Sequence, residues 1–334
     1  MPPFQALQVH KYSSDFRAAT EVIDVPEIPK ASPGHIVARH HFVGVNPTDV
    51  LIVKGEYGYP LPFRPGIEVA GVVTDVGDGV DNLRVGDAVV YLMSGGFAEY
   101  GEVPATNATK IPHVSPATLP LTVCGVSGSI ALEEIGNMKS GETVLVTAAA
   151  GGTGQVVVQL AKLAGNHVIG TTSSAEKAAF LRSLGCDRVI NYNEESVDEV
   201  LTAEYPNGVD LVFESVGGGM FKTAVKHLAV HGRIIAFGYI AEYKDDGAGN
   251  DYAVRDLNVT LLRKSGSVRW FHLNNHVASM GPHLARLMAL VDEGKLRVAV
   301  DPTKFVGLEA VPDAFDFMFS SKNTGKVVVQ LVED

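Results

Sequence analysis

Apolar and polar residues alternate in short runs over the first part of the chain, from about residue 4 to 120. Proline and glycine separate these runs, which include HIVARHHFVGV, EVAGVVTDVG, DAVVYL and FAEYGEV. Runs of this length, bounded by such residues, are typical of β-strands. The pattern therefore predicts an antiparallel, barrel-like domain in this part of the chain.

The rhythm changes between about residues 120 and 270, where apolar runs alternate with helical patterns. The order is TVLVTAAAGG, QVVVQLAKLAG, HVIGTTSS, AEKAAFLRSLG and RVINY, and two further apolar runs follow in VDLVFESVG and GRIIAFGYI. Strands that alternate with helices in this way predict a doubly wound parallel sheet, here of six strands. The fold class is therefore predicted to be α/β.

After residue 270 the chain has one clear helical pattern, GPHLARLMALVDEGK, and then short strands that end in GKVVVQLVED. We expect these strands to return to the first domain. A chain of 334 residues usually forms more than one hydrophobic core. The predicted domains are accordingly 1–122, 123–268 and, as the return of the first domain, 269–334, with a surface loop at 244–251.

Composition and charge argue against two classes of partner. The formal net charge is -11 and lysine and arginine form no cluster, whereas nucleic-acid binding depends on clustered cations. No uninterrupted apolar run is long enough for a membrane span, and the N-terminal residues do not resemble a secretory leader. Cys124 and Cys186 lie in separate segments, which is neither a disulfide framework nor a zinc site. We expect a cytoplasmic protein that binds neither nucleic acid nor membranes.

A glycine-rich turn follows the first strand of the predicted parallel sheet, in VLVTAAAGGTGQ. Small residues at such a turn let backbone N–H groups approach a pyrophosphate at the positive end of the next helix. Aligned on the dinucleotide motif GxGxxG, the three positions are Ala149, Gly151 and Gly154, so alanine replaces the first glycine. The turn indicates a dinucleotide site, although a merely tight connection between strand and helix fits it equally well.

The end of the second strand favours a cofactor with a phosphate on its ribose. An NAD site would place Asp or Glu there to bind the ribose 2′-hydroxyl, but this chain reads GTTSS over 170–174. Ser173 could donate to a 2′-phosphate, and Lys177 lies in the first helical turn, where the helix dipole disfavours a cation unless an anion is close. The cofactor is therefore predicted to be NADPH. The alternative is that Ser173 and Glu176 form a capping box and Lys177 is a solvated lysine.

Four more residues end later strands at the same predicted edge of the sheet. They are Tyr192 in VINY, Ser215 in FESVG, and Phe237 and Gly238 in IAFG. Ligands of open α/β sheets bind at the carboxyl ends of the strands, so these residues are candidate cofactor contacts. Ordinary turn and packing roles at strand ends are the alternative.

Several segments carry a resemblance that covers nearly the whole chain. They are VGVNPTD (43–49), PGIEVAG (65–71), GGFAEY (95–100), VLVTAAAGGTGQ (144–155), LGCDRVINY (184–192), FESVGG (213–218) and NTGKVVV (323–329). With these segments the chain resembles the medium-chain dehydrogenase/reductase superfamily, in its zinc-free quinone oxidoreductase and prostaglandin reductase branch. The resemblance implies a Rossmann domain inserted in a GroES-like, barrel-type catalytic domain, and it also implies a homodimer.

The resemblance extends the set of expected site residues. It implies that Asn46 faces the nicotinamide and the substrate, that Ser127 contacts the nicotinamide ribose, and that Asn323 approaches the nicotinamide. Together with the loop and the strand ends, the expected cofactor contacts are Asn46, Ser127, Ala150, Gly151, Gly152, Thr153, Gly154, Ser173, Lys177, Tyr192, Ser215, Phe237, Gly238, Tyr243, Phe271, His272, Leu273 and Asn323.

The zinc ligands of the superfamily's metal enzymes are missing from the sequence. Those enzymes carry Gly-His-Glu where this chain has Gly66-Ile67-Glu68, and a cysteine ligand near the position of Asn46. The four-cysteine structural lobe is absent as well. The resemblance therefore implies an enzyme without zinc. The chain also reads Ser127-Gly128-Ser129 where relatives tend to have Thr-Ala-Tyr, which leaves the substrate open.

Without a metal to polarise a carbonyl, hydride transfer is easiest to a conjugated carbon, because the resulting charge moves onto an oxygen that needs only hydrogen bonds. We therefore expect an NADPH-dependent reductase of quinones or α,β-unsaturated ketones. Candidate donors to that oxygen are the Asn46 amide and the Tyr57 phenol, although a packing role for Tyr57 is as compatible with the pattern. The alternative function is an NADPH-binding structural or regulatory protein with little turnover.

Overall fold

A computed structural model describes residues 3–243 and 254–332. The segment 244–251, predicted as a surface loop, lies outside the described residues. The chain divides into two compact units. The first unit comprises Met1–Val123 and Val300–Asp334, and the second comprises Cys124–Ala299.

Antiparallel strands dominate the first unit, as their alternating pattern predicted. In chain order the elements are β1 (Phe4–Val9), α1 (Phe16–Ala19), β2 (Thr20–Val25), β3 (His35–Gly44), α2 (Pro47–Val53), β4 (Glu68–Val76), β5 (Ala88–Leu92), β6 (Tyr100–Pro104) and β7 (Ala108–Lys110). Strand β1 pairs with β2, whereas β3 lies between β4 and β6 and the sheet continues from β4 through β5 to β7. Because β3 has strands on both sides, its residues Ile36, Val37 and Ala38 are fully buried.

The second unit alternates helices with strands. In chain order its elements are α3 (Ser127–Ile130), β8 (Thr143–Val146), α4 (Gly154–Leu163), β9 (His167–Thr172), α5 (Ala175–Ser183), β10 (Arg188–Asn191), α6 (Val197–Glu204), β11 (Val209–Glu214), α7 (Gly218–Lys226), β12 (Leu228–Ala236), α8 (Val254–Lys264), β13 (Ser267–Trp270) and α9 (Val277–Asp292). Across both units, short helical turns lie at Ala105–Asn107, Pro116–Leu121, Thr122–Val126, Ala131–Ile135, Ile240–Glu242, Leu273–His276 and Leu308–Ala310. Among the described helices, none is both long and apolar enough to cross a membrane.

Six parallel strands form the sheet of the second unit in the order β10-β9-β8-β11-β12-β13. This is the doubly wound order, in which the chain starts at β8 and winds outwards in both directions. Val144, Leu145 and Val146 of β8 are fully buried, because helices cover both faces of a parallel sheet. The predicted parallel sheet of six strands is thus confirmed.

The second unit extends further along the chain than the sequence predicted. The return to the first domain was placed at residue 269, but it occurs at Val300. Strand β13 adds to the parallel sheet beside β12, and α9 is joined to α3 by a hydrogen bond of 2.7 Å between Ser129 Oγ and His283 Nδ1. Both elements therefore belong with the sheet.

The last part of the chain completes the first unit with α10 (Val311–Phe319) and β14 (Val328–Gln330). Strand β14 pairs antiparallel with β3, with Val328 opposite Gly44. On α10, the ring of Phe315 stacks on that of Phe16 with centroids 3.9 Å apart. Residues from both ends of the sequence thus share one core.

Candidate functional site

The glycine-rich turn connects β8 to α4 and folds back tightly on itself. Ala148 has a φ of 46°, a left-handed conformation that is uncommon for residues other than glycine. A Cβ at Gly154 would lie 2.5 Å from Ala148 O and 2.6 Å from the Ala149 Cα. Only glycine therefore fits at position 154, which is the third glycine of the dinucleotide motif.

The tip of this turn is open to solvent, whereas its base is packed. Ala149 and Ala150 are buried, and Gly151, Gly152 and Thr153 are partly exposed. Gly151 N donates to Ala148 O at 3.0 Å. The first turn of α4, a helix of ten residues, follows directly and presents backbone N–H groups. Small residues and a helix start suit the approach of a pyrophosphate, so the residues present fit a dinucleotide.

Ser173 and Lys177 lie side by side at the end of β9. Lys177 Nζ donates to Ser173 Oγ at 3.5 Å, and the lysine side chain is only 9% exposed. The N-cap of α5 is Ser174, whose Oγ accepts from Lys177 N at 3.3 Å. The alternative of a capping box from Ser173 to Glu176 with a solvated lysine is therefore wrong.

Tyr192 directly follows the neighbouring strand β10. Its backbone N–H donates to Thr172 O at 2.9 Å, and the residue is 44% exposed. Asn193 Nδ2 donates to Ser173 O at 2.7 Å and so holds the end of β9 in place. The structure thus brings Ser173, Lys177 and Tyr192 together at one corner of the sheet edge.

Ser215 follows β11 and is fixed by Thr147, a residue the sequence analysis did not single out. Ser215 N donates to Thr147 Oγ1 at 2.9 Å. Glu214 beside it is buried, and it accepts hydrogen bonds from Val216 N at 2.9 Å and from Gly217 N at 3.1 Å. Burial raises the pKa of the Glu214 carboxyl. The sequence signal for these contacts was Thr147 just after β8 and Glu214 at the end of β11.

Aromatic rings line the ends of β12 and β13. Phe237 stacks on Phe271 with centroids 5.3 Å apart and planes within 9°. A Cβ at Gly238 would lie 3.0 Å from the Tyr243 hydroxyl, and Tyr243 is itself buried. His272, which is exposed, follows Phe271 and precedes the helical turn that begins at Leu273. These residues occupy the same sheet edge as the glycine-rich turn, whereas buried Ser127 lies in α3.

The remaining predicted residues, Asn46, Tyr57 and Asn323, belong to the first unit. Tyr57 is half-buried in the turn after α2. Asn323 Nδ2 donates to Gly325 O at 2.9 Å, in the loop before β14. Their roles toward the nicotinamide and the substrate stay predictions.

Asn46 precedes α2, and its backbone is held by an acid of the same turn. Asn46 N donates to Asp49 Oδ2 at 3.1 Å, and Asp49 N donates to Asn46 O at 3.0 Å. Asp49 is fully buried, and burial raises the pKa of its carboxyl to about 8. Burial therefore favours the uncharged form of this carboxyl.

Two charged residues that sequence analysis gave no role surround the Asn46 side chain. Lys326 Nζ lies 2.6 Å from Glu68 Oε2 and donates to Asn46 Oδ1 at 2.6 Å. Glu68 is fully buried, and Asn46 and Lys326 are each 2% exposed. The sequence signal for this pair was a single lysine in the apolar segment NTGKVVV. Within residues 3–243 and 254–332, no three histidine, cysteine, aspartate or glutamate side chains form a candidate metal site.

Known families and proteins match this chain over most of its length. Residues 32–113 match the alcohol dehydrogenase GroES-like domain, and residues 152–289 match the family described as zinc-binding dehydrogenase. The chain is 44% identical to prostaglandin reductase-3 of Mus musculus over 98% of this chain and 89% of that protein. The chain belongs to the medium-chain dehydrogenase/reductase superfamily.

Other members of the superfamily support the branch that the sequence motifs indicated. The probable quinone oxidoreductase of Leishmania amazonensis is 41% identical over 98% of both chains. The solved structure of Escherichia coli quinone oxidoreductase complexed with NADPH has a TM-score of 0.86 and 26% identity, covering 98% of this chain and 100% of that chain. The predicted combination of GroES-like and Rossmann folds is thereby confirmed. This superfamily member lies in the quinone oxidoreductase and prostaglandin reductase branch.

Proposed function

We propose that this NADPH-dependent oxidoreductase reduces quinones or α,β-unsaturated ketones by hydride addition to a conjugated carbon, without zinc. Relatives named prostaglandin reductase and quinone oxidoreductase, and a similar structure in complex with NADPH, support the reaction class. The observation that carries the proposal is the ammonium group of Lys326, held 2.6 Å from both Glu68 and Asn46. The resemblance aligns Glu68 and Asn46 with segments that carry zinc ligands in metal-dependent relatives, and here one fixed ammonium group contacts both residues.

The residues at the ends of β8 and β9 fit NADPH better than NADH. Ser173 and Lys177 offer a hydroxyl and an ammonium group 3.5 Å apart. Both can donate to a 2′-phosphate, and hydrogen bonds between charged groups are about twice as strong as neutral ones. No carboxylate stands at the end of β9 over 170–174 to repel that phosphate. We therefore assign the ribose phosphate to these two residues.

The charges around Asn46 support a reaction without zinc. Relatives that bind zinc use cysteine near this position and histidine at the position of Ile67. Here an amide replaces the cysteine, and the Lys326 ammonium contacts the remaining acid, Glu68, at 2.6 Å. At such distances a fixed positive charge strongly disfavours a second cation.

The substrate oxygen then depends on hydrogen bonds. NADPH, when bound, supplies a hydride. Once hydride has added to the conjugated carbon, the π electrons move to the carbonyl oxygen, and a proton from water completes the reduction. We assign the Asn46 amide and the Tyr57 phenol as donors to that oxygen. Donors placed where charge develops act mainly on the transition state.

Steady-state oxidation of NADPH with a panel of quinones and enones tests this function. We expect turnover with at least one class of acceptor, and the same rate after treatment with a zinc chelator. Product analysis separates reduction of a quinone from reduction of an enone double bond. Tight NADPH binding without turnover on any acceptor would instead support a structural or regulatory role.

We also propose that two copies associate through the edge strand β13. Within the described residues, no strand pairs with the outer side of β13. Trp270 on this strand is 66% exposed and Leu262 on α8 is 81% exposed, which is unusual for large apolar side chains. A second copy would pair with the free edge around a two-fold axis.

The double substitution Trp270→Glu with Leu262→Glu is expected to shift the chain from dimer to monomer, because it places four like charges in the shared interface. Sedimentation velocity measures the change. Val85→Glu is the matched control, since Val85 is an equally exposed apolar residue of the other unit, at 65%. A dimer that persists in the double variant would exclude this edge as the interface.

A further inference from the structure

Glu68 and Lys326 form a buried ion pair whose other contacts fix it in one geometry. Glu68 Oε1 accepts from Val123 N at 2.8 Å and from the Thr122 hydroxyl. Its other oxygen, Oε2, accepts from Lys326 Nζ at 2.6 Å and from Asn46 Nδ2 at 3.3 Å. Four donors to two oxygens leave this carboxylate no alternative arrangement.

The same ion pair decides which way the Asn46 amide points. An ammonium group only donates hydrogen bonds, so the atom of Asn46 that faces Lys326 must be its oxygen. That contact is short, at 2.6 Å, whereas the amide nitrogen makes two long contacts of 3.3 Å, to Gly44 O and to Glu68 Oε2. The short contact with Lys326 thus fixes Asn46 Oδ1. The amide N–H groups can exchange their long hydrogen bonds to Gly44 O and Glu68 Oε2 for a better acceptor.

A cation on the amide oxygen also changes the amide nitrogen. It draws electron density toward the oxygen, so that the N–H groups become stronger donors, as happens along chains of hydrogen bonds in a low dielectric. Glu68 Oε2 lies 2.6 Å from the Lys326 ammonium, and burial raises the pKa of neighbouring Asp49, which favours its uncharged form. The structure therefore provides both orientation and polarisation of the Asn46 donor.

We propose that Lys326 and Glu68 are positioning residues for the reaction, which act through Asn46. Lys326 holds and polarises the carboxamide, and Glu68 holds Lys326, so that Asn46 Nδ2 donates to the substrate oxygen on which negative charge develops. This inference rests on the proposed function, because it assigns the pair a role in the reduction.

Gly44 is the residue that makes room for this arrangement. A Cβ at position 44 would lie 1.8 Å from Glu68 Oε2 and 2.9 Å from Lys326 Cε. Gly44 ends strand β3, two residues before Asn46, and pairs with Val328 of β14. The pairing of β14 with β3 therefore brings Asn46, Glu68 and Lys326 together beside Gly44, which has no side chain to occupy that space.

The test compares Lys326→Met, Glu68→Gln and the double variant by steady-state kinetics and thermal unfolding. Each single change leaves a buried charge without its partner and is expected to destabilise the fold strongly, whereas the double variant removes both charges and regains stability. We expect the folded double variant to retain its KM for NADPH within about twofold and to lose about tenfold or more in kcat, since removing an oxyanion donor outright costs about 10²-fold.

A matched control removes a partly exposed ion pair from the same unit. Lys110 Nζ lies 2.6 Å from Asp87 Oδ1, and the two side chains are 57% and 16% exposed. The double change Asp87→Asn with Lys110→Met is expected to keep kcat within about twofold of the unchanged enzyme, because exposed pairs contribute little.

The results distinguish a failure of the positioning role from a failure of the proposed reductase function. If the unchanged chain reduces quinones or enones and the stable Glu68→Gln/Lys326→Met variant has the same kcat, the pair is structural and the inference is overturned. If the unchanged chain turns over no acceptor, the proposed function fails and the positioning role falls with it. A kcat that stays low after stability has recovered supports the positioning role.

Discussion

Replacing Gly154 by alanine is expected to lower the affinity for NADPH by about 100-fold, or about 2.7 kcal/mol, and to destabilise the fold by about 1–3 kcal/mol. The added Cβ would lie 2.5 Å from Ala148 O and 2.6 Å from Ala149 Cα. Both are backbone atoms and cannot rotate away. The turn must therefore shift, which displaces the backbone N–H groups that we assign to the pyrophosphate. Fluorescence titration with NADPH and thermal unfolding measure the two effects.

Gly219→Ala is the control for this substitution, because no described atom outside the adjacent residues and the backbone of its own helix lies within 4 Å of the position that its Cβ would take. Gly219 lies in helix α7, where alanine is favoured over glycine by about 0.5–1 kcal/mol. The control should bind NADPH normally and unfold at the same temperature or a higher one. If Gly154→Ala bound NADPH as tightly as this control, the turn would not be the pyrophosphate site.

Replacing Lys177 by alanine is expected to remove at least a tenfold preference for NADPH over NADH, or about 1.4 kcal/mol. The lysine ammonium lies 3.5 Å from Ser173 Oγ, and the two groups are the donors assigned to the 2′-phosphate. NADH lacks that phosphate, so its affinity should change little. The ratio of kcat/KM for the two cofactors measures the loss.

Lys139→Ala provides the matched control, since Lys139 is an exposed lysine of the same unit that precedes β8, at the opposite edge of the sheet. Its removal changes the net charge equally but leaves the cofactor end of the strands intact. A cofactor preference that survives in Lys177→Ala would mean that other groups bind the phosphate.

The sequence predicted the parallel sheet and the glycine-rich turn because both depend on neighbours along the chain. Strand, turn and helix follow one another within VLVTAAAGGTGQ, so spacing alone indicates the geometry. The sequence predicted six strands but did not locate the sixth, β13, because its four residues are only partly buried or exposed and lack the apolar run of its neighbours. The domain boundary was placed too early because the segment that contains α9 was assigned to the returning part of the first domain.

The environment of Asn46 could not be derived in this way. Lys326 contacts Asn46 across 280 residues of sequence, and only the pairing of β14 with β3 brings them together. Local patterns carry no information on such a register. The N-cap of α5 was ambiguous for a local reason, because the adjacent residues Ser173 and Ser174 can both cap a helix. The structure uses Ser174, which leaves Ser173 beside Lys177.

The divided first unit has a consequence for synthesis on the ribosome. The second unit is one continuous stretch, Cys124–Ala299, whereas the first needs Val300–Asp334 as well as the N-terminal residues. Domains tend to fold as they emerge, from the N-terminus onward. Here β3 cannot pair with β14, and Glu68 cannot contact Lys326, until the segment Val300–Asp334 has been translated. The N-terminal strands of the first unit thus reach all their native contacts only after the second unit has been synthesised.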